Sequence, residues 1–448
     1  MKPVLKPTSL NNTVDKKISI HRGAYVISIK SSVKVNRSQK NDTDGIGQSP
    51  WEIVYILLCL VLLVLTAFQF SLFATGKTGW DYETYVSAIQ TFNHGQNPYI
   101  LENIIPYQQG GTQLQFDYPP HTLYFFWLLD FILVFHYTSI YYSVLLVLFI
   151  ISAYLIVHLD EKRHYLFLTT LLLTGFMGAI WNFVTGNIPI LFLFLFAVIF
   201  TFMIKGKYWQ SSVVMGLSAA VSLFTVPFIV LFLLVRRSII DRLSHIFLSL
   251  GIIGSLFIVD YLVNPAYIIS YVEMMIGGNS PLSESGGWNQ PTPYLLFRDT
   301  LNGSFGGIIP FIAVSCIYIG LILYATGTYY RKNKVNFPKT FSLVMLSIFM
   351  ILPRLMPYDF IILVIPLYIL FKDCSYQMKS LVLFVISLPF FVWYSQFFGI
   401  SGLTLAPYIQ TYSLILVFLV VIFNDHLAPA SDTEGKPGEK TEKNSHVP

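Results

Sequence analysis

The chain has 448 residues, of which 54% are hydrophobic and only 11% are charged, and its formal charge is +5. An ordinary soluble domain carries about 25% charged residues, so this composition excludes a soluble globule. The basic residues gather in the N-terminal tail and in short loops between apolar runs, which indicates membrane topology and argues against nucleic-acid binding.

Apolar runs long enough to cross a bilayer recur along most of the chain. Only helices and closed barrels satisfy their backbone groups in lipid, and these runs lack the alternation of barrel strands. We therefore predict an all-α, polytopic integral membrane protein with about 10–12 transmembrane helices. The runs lie at 53–73, 119–157, 165–181, 188–204, 211–235, 246–263, 308–329, 340–352, 359–371, 380–397 and 409–424.

Charged loops predict the orientation of the chain in the cell membrane. A transmembrane domain is expected at 51–427, between two disordered tails, 1–50 and 428–448. The positive-inside rule places both tails in the cytoplasm and two long loops, 74–118 and 264–307, on the extracytoplasmic side. Loops of this length are commonly functional, so we expect the chemistry there.

Two apolar runs have lengths that do not fit one simple span. For 119–157 we predict a partial or in-plane helix followed by a full span. For 211–235 we predict two short helices that meet at a break near Pro227 and face a cavity. The alternative is plain spans throughout, with about 12 helices and one violation of the positive-inside rule.

The first external loop begins with GWDYETY, which contains two carboxylates, Asp81 and Glu83. Helical spacing predicts an interfacial helix with Asp81 and Tyr85 on one side and Glu83 on another. Asp81 could be a helix N-terminal residue favoured by the dipole, or a general base that takes a proton from an acceptor hydroxyl. The loop ends in FDYPPH, where Tyr118 and His121 either anchor the chain at the interface or contact a headgroup.

The order of these motifs resembles the GT-C superfamily of membrane glycosyltransferases, and glycosyltransferase family 87 in particular. A span is followed by Asp-x-Glu, by the turn GQNPY and by FDYPP, and later by TGNIPI with Asn187, GLSAAVSLFTVP, WNQPTPYLLFR and PRLMPYDF. The chain departs from the family pattern in two places. Phe224 stands where the family often has Lys, and the late Pro-Tyr-Asp turn lacks the family's frequent His.

The resemblance implies a GT-C fold and transfer of a sugar, a mannose-like hexose or a pentose, from a polyprenyl-phosphate donor to a lipid or glycan acceptor. Asp81 would be the catalytic base of an inverting displacement on the extracytoplasmic side. Family 87 includes α-mannosyltransferases that use such donors. The residues expected to bind donor or acceptor are Glu83, Tyr85, Tyr118, His121, Asn187, Asn289, Gln290, Arg298, Arg354 and Tyr358.

Three questions stay open at this point. Mg²⁺ or Mn²⁺ could bind Asp81 and Glu83, but two carboxylates make an incomplete site, so no metal site is predicted. A multi-pass transporter of lipids or solutes is the alternative function, although the chain shows no internal repeat. A catalytically degenerate member of the superfamily would also fit the residues that depart from the family pattern.

Overall fold

The computed structural model describes residues 49–74, 78–108, 114–134, 136–159, 163–276, 290–305, 308–333, 337–397 and 406–423. Both predicted tails and the predicted site residue Asn289 lie outside these ranges, apart from Ser49 and Pro50. Within them, every regular element is a helix, which confirms the all-α fold class.

Seventeen α-helices run through the described part of the chain. The first nine are α1 Pro50–Ala74, α2 Trp80–Asn93, α3 Leu101–Ile104, α4 Pro120–Leu133, α5 Thr138–Val157, α6 Tyr165–Thr174, α7 Gly178–Thr185, α8 Pro189–Ile204 and α9 Tyr208–Val221. The others are α10 Ile239–Val263, α11 Pro265–Ile276, α12 Pro293–Phe305, α13 Ile308–Asn333, α14 Phe337–Ile351, α15 Val364–Phe371, α16 Tyr376–Phe397 and α17 Ile409–Phe423. Short 3₁₀ helices lie at Ile105–Tyr107, Gly175–Met177, Leu223–Leu234, Asp359–Leu363 and Ala406–Tyr408.

Six helical stretches in the described ranges are long and apolar enough to cross a membrane. They are Pro50–Phe73, Thr138–Val157, Tyr165–Thr185, Ile239–Val263, Ile312–Arg331 and Tyr376–Ser395. Seven further apolar helices have 10 to 17 residues. Tyr165–Thr185 is mostly buried by other helices, whereas Ile239–Val263 leaves most of its apolar surface uncovered, as a lipid-facing helix does.

The first unusual run, 119–157, divides as predicted into a short helix and a long one. The 14-residue α4 ends at Leu133, Val134 takes a left-handed conformation, and the 20-residue α5 follows from Thr138. Two short helices, α2 and α3, also form inside the first long loop, as predicted for that segment.

The second unusual run is broken, but not where we predicted. The α-helix α9 ends at Val221, Ser222 is extended, and Pro227 lies inside the following 3₁₀ helix. The prediction of a break at Pro227 is therefore wrong by five residues. A proline ring clashes with the carbonyl four residues earlier, here that of Leu223, and so disfavours an α-helix over the turn before it.

A tight crossing places the loop at 352–358 beside α7. A side chain on Gly178 would put its Cβ 2.7 Å from the backbone nitrogen of Ile361, so the backbones touch at this point. Asn182 adds a hydrogen bond, from its side-chain amide to the carbonyl of Tyr358 at 2.9 Å. The two elements that carry the candidate site are thereby fixed to each other.

Candidate functional site

The turn between α7 and α8 presents Asn187 to the site. Gly186 ends α7 in the left-handed conformation, with φ of 71°, and its backbone N–H donates to Asn182. A Cβ at Gly186 would lie 2.7 Å from Cβ of Tyr82, so no other residue fits without movement of α2. Glycine is therefore required here both by the backbone conformation and by the close approach of α2.

The side-chain amide of Asn187 connects the turn to α2 and to the loop before α4. Its oxygen accepts hydrogen bonds from the hydroxyls of Tyr85 at 2.9 Å and Tyr118 at 3.2 Å, and from the backbone N–H of Ile188 at 2.7 Å. Because three donors surround the oxygen, the amide nitrogen of Asn187 faces Asp81. This nitrogen donates to Oδ2 of Asp81 at 2.9 Å. The amide orientation is thus determined by its partners.

Asp81 has a pKa that lies closer to neutral pH than that of an exposed carboxylate. Burial raises its pKa from 3.8 to about 6, although the hydrogen bond from Asn187 opposes the shift. A base works best when its pKa lies close to the working pH, so Asp81 is suited to accept a proton. Burial also raises the pKa of Tyr85 and Tyr118 well above the usual value, which keeps both as neutral hydroxyls.

Two adjoining cavities meet at this network. The carboxylate cavity, of about 130 Å³, contains Asp81, Tyr85 and Asn187 in its wall. The apolar cavity, of about 220 Å³, is lined largely by carbon-rich side chains that include Phe192 and Phe224. The two cavities share a wall, which consists of Asp117, Tyr118, Arg354, Met356 and Tyr358.

Arg354 is the only Lys or Arg among the described residues that line either cavity. Its guanidinium donates to Oδ2 of Asp117 at 3.1 Å, and both side chains stay partly exposed. Asp359, buried at the next turn, accepts from the backbone N–H of Met356 at 2.8 Å and so closes the loop that carries Arg354. The loop thus holds one cation where the two cavities join.

The structure brings most of the predicted site residues together. Asp81, Tyr85, Tyr118, Asn187, Arg354 and Tyr358 all line the carboxylate cavity. Glu83 lies on the other side of α2, as helical spacing predicts. Gln290 is buried and lines neither cavity. Arg298 is also elsewhere, with its Nε donating to Asp299 at 3.0 Å.

The prediction for His121 needs correction, because its ring faces the helix bundle and not a headgroup. Nδ1 lies 2.6 Å from Oδ2 of Asp260 and Nε2 lies 2.7 Å from the carbonyl oxygen of Ala220. Asp260 is fully buried, so this contact joins α4 to α9 and α10. Both ring nitrogens of His121 are therefore engaged within the helix bundle, and the residue borders neither cavity.

Sequence reasoning missed the carboxylates around Arg354. Neither Asp117, in FDYPPH, nor Asp359, in PRLMPYDF, is among the predicted site residues. The signal that could have found them is the charge of Arg354, since a partly buried guanidinium is normally paired. Among the described residues, no group of three or more His, Cys, Asp or Glu is placed to hold a metal ion.

Comparison with known proteins gives one match. The model of glycosyltransferase family 87 matches residues 116–353, which is more than half of the chain. The matched region contains Asn187 and the residues of the apolar cavity from Asp117 to Pro353. Arg354 is the first residue after it, whereas Asp81 lies well before its first residue, 116. No curated protein matches the chain significantly.

Proposed function

This chain belongs to glycosyltransferase family 87, and we propose that it transfers a sugar from a polyprenyl-phosphate donor to a lipid or glycan acceptor on the extracytoplasmic side of the membrane. It is a membrane glycosyltransferase, so a sugar donor and an acceptor are its substrates. The observation that carries the finer proposal is the position of Arg354 in the wall shared by the two cavities.

The two cavities match the two ends of such a donor. A polyprenyl-phosphate sugar has an apolar chain, a phosphate and a sugar in that order. The apolar cavity suits the chain, Arg354 suits the phosphate, and the carboxylate cavity suits the sugar. Arginine is well fitted to this position because its planar guanidinium offers five donors and grips phosphate with two of them. Phe224, in the place of the family's frequent Lys, adds apolar surface to the apolar cavity.

Asp81 is proposed as the general base. Its carboxylate takes the proton from an acceptor hydroxyl while that oxygen bonds to the anomeric carbon of the sugar. The bond from this carbon to the phosphate oxygen breaks, and polyprenyl phosphate leaves with the electron pair. Arg354 stabilises the charge on the departing phosphate. Direct displacement inverts the anomeric configuration and needs no covalent intermediate.

The test is transfer of radiolabelled sugar from a small panel of polyprenyl-phosphate sugars to a membrane lipid extract. We expect transfer from at least one donor by the wild type, and a loss of about 10²–10⁴-fold in Asp81→Asn, the range of a general base. Absence of transfer from every donor by the folded wild type would contradict the proposal. Equal rates for the two proteins would remove Asp81 from the mechanism.

Folding of the Asp81→Asn variant can be checked by its thermal unfolding. Because burial raises the pKa of Asp81 above its unfolded value, the folded state binds the proton more tightly and loses stability as pH rises through about 6. An uncharged Asn avoids this loss and still accepts from Asn187. We therefore expect the variant to unfold at the same or a higher temperature than the wild type at pH 8.

A further inference from the structure

The face of α2 opposite Asp81 borders a second pair of cavities, which we call the rear groove. At about 100° per residue, Glu83, Val86 and Gln90 project nearly opposite to Asp81. One cavity of about 300 Å³ and another of about 290 Å³ share Val86, Gln90 and His136, so together they form one groove. Each approaches the volume range of about 300–1,000 Å³ that is typical of small-molecule sites.

Ser87 provides the first sign that the rear groove takes a ligand. Buried hydroxyls in helices commonly donate to the carbonyl four residues earlier. Thr84 and Thr91 do so, to the carbonyls of Trp80 at 3.0 Å and of Ser87 at 2.8 Å. The Ser87 hydroxyl, which lines the groove and is 1% exposed, has no hydrogen-bond partner in the described part of the chain.

Two more unsatisfied polar atoms border the same cavity. Oε1 of Glu83 and the hydroxyl of Tyr142 are both buried and lack a partner among the described residues. A buried polar atom without a partner is destabilising, so each one calls for a physical explanation. Three such atoms around one cavity leave hydrogen-bonding positions that a polar ligand can occupy.

The lining of the groove defines the class of ligand. The described lining residues include Glu83 but no Lys or Arg, so an anion is not favoured. Hydroxyls and an amide alternate with tyrosine rings, which present an apolar face and a polar tip. This combination suits a neutral sugar, whose hydroxyls donate to a carboxylate and whose C–H faces contact aromatic rings. The residues are Gln90, Tyr107, Thr138 and Tyr142.

We propose that the rear groove binds the sugar rings of a glycan acceptor, at a distance from the bond that forms. This inference rests on the proposed function, because it gives the acceptor a second point of attachment. Gly79 borders the groove and Asp81 borders the carboxylate cavity, so only the first turn of α2 separates the two. An acceptor of several sugars is therefore favoured over a simple lipid alcohol.

The experiment measures binding of neutral trisaccharides of mannose, glucose, galactose or arabinose to the full chain in lipid nanodiscs, by saturation-transfer NMR. Asp81→Asn serves as the background because it should bind without turnover. We expect at least one trisaccharide to bind this variant. Adding Glu83→Gln should weaken that binding about tenfold, the effect of losing a hydrogen bond to a charged group.

Glu102→Gln is the matched control, because it removes the charge of an exposed α3 residue that lines neither part of the groove. It should leave trisaccharide binding unchanged. If Glu83→Gln does not fold, Ser87→Ala and Tyr142→Phe take its place, each with a smaller expected weakening. These substitutions remove only one unpaired hydroxyl each.

Two results would overturn the proposal. One is that no trisaccharide binds the folded protein, and the other is that Glu83→Gln and Glu102→Gln bind alike. Failure of the proposed function is a different observation, namely no sugar transfer by the wild type from any polyprenyl-phosphate donor. If sugar transfer is observed but trisaccharide binding does not depend on Glu83, only the proposal for the rear groove is rejected and the proposed function stands.

Discussion

The two faces of α2 differ in how completely their polar groups are paired. On the front, Asp81 and Tyr85 are tied to the amide of Asn187, which itself has four hydrogen bonds. On the rear, Glu83 and Ser87 have buried oxygens with no partner within the described structure. Within this 14-residue helix, the polar groups named on one side are hydrogen-bonded to the protein, whereas those on the other side include unpartnered oxygens.

The difference teaches what each face is built to do. A reacting group has to be held in position before the substrate arrives, because ordering it during the reaction would add to the barrier. The front face meets this condition within the protein. A ligand site instead leaves donors and acceptors for the ligand to satisfy. The rear face meets that condition. Under the proposed function, reaction and recognition would lie on opposite sides of α2.

After Asp81→Asn, the largest effect on sugar transfer is expected from substitution of Arg354. Arg354→Gln removes the charge that is proposed to bind the donor phosphate, and we expect kcat/KM for the donor to fall about 100-fold. Arg354→Lys keeps the charge but loses the planar fork, so it should recover only part of the loss. The assay is sugar transfer with donor concentration varied. Full activity in Arg354→Lys would show that geometry at this position is unimportant.

Gly186→Ala is expected to damage both faces at once. The new Cβ would lie 2.7 Å from Tyr82 and 3.0 Å from the hydroxyl of Tyr142, two residues that line the rear groove. It would also strain the turn that presents Asn187. With φ of 71°, the strain alone costs about 1–2 kcal/mol. A lower unfolding temperature is predicted, and Gly206→Ala, also at positive φ but with open space around it, should cost less.

Asn187→Asp is designed to perturb the front face without changing its shape. The new carboxylate can still accept from Tyr85 and Tyr118, but it places a second negative charge beside Asp81 in the place of the amide donor. Like charges raise the pKa of such a pair, so the acidic limb of the rate profile should move upward by about one pH unit. An unchanged limb would mean that Asn187 does not control the ionisation of Asp81.

The smallest expected effects on stability come from removing one hydroxyl on each face of α2. Tyr85→Phe removes a donor to Asn187 and should cost about 1 kcal/mol of stability. Ser87→Ala removes a buried hydroxyl that has no partner in the described ranges, so stability should stay the same or rise. Thermal unfolding of the two variants side by side measures the contrast. A larger loss of stability for Ser87→Ala than for Tyr85→Phe would contradict the difference in hydrogen bonding between the two faces.

Local sequence patterns predicted the parts of the molecule that depend on neighbours in the chain. Apolar length predicted the helices and the division of 119–157, and helical spacing predicted that Asp81 and Glu83 face different ways. Asn187 was predicted from the resemblance to family 87, because TGNIPI is similar to an external turn of that family.

Contacts between distant residues could not be predicted in the same way. His121 was expected to anchor the chain at the interface or to contact a substrate headgroup, whereas it contacts Asp260, 139 residues further along the chain. Arg354 and Asp117 are 237 residues apart, and no local pattern connects them. The break in 211–235 was misplaced for a different reason, since the steric effect of Pro227 acts on the turn before it.

The most direct test of Asp81 as the base is the pH dependence of kcat/KM for sugar transfer, measured from about pH 4.5 to 8.5 in the wild type and in Asp81→Asn. A base has to be ionised, and the pKa of Asp81 is about 6. The wild-type rate should therefore level off above about pH 7 and fall about tenfold per pH unit below pH 6. The residual rate of Asp81→Asn should lack this limb. A limb near pH 6 that persists in Asp81→Asn, or a wild-type rate that is flat across this range, would contradict the assignment.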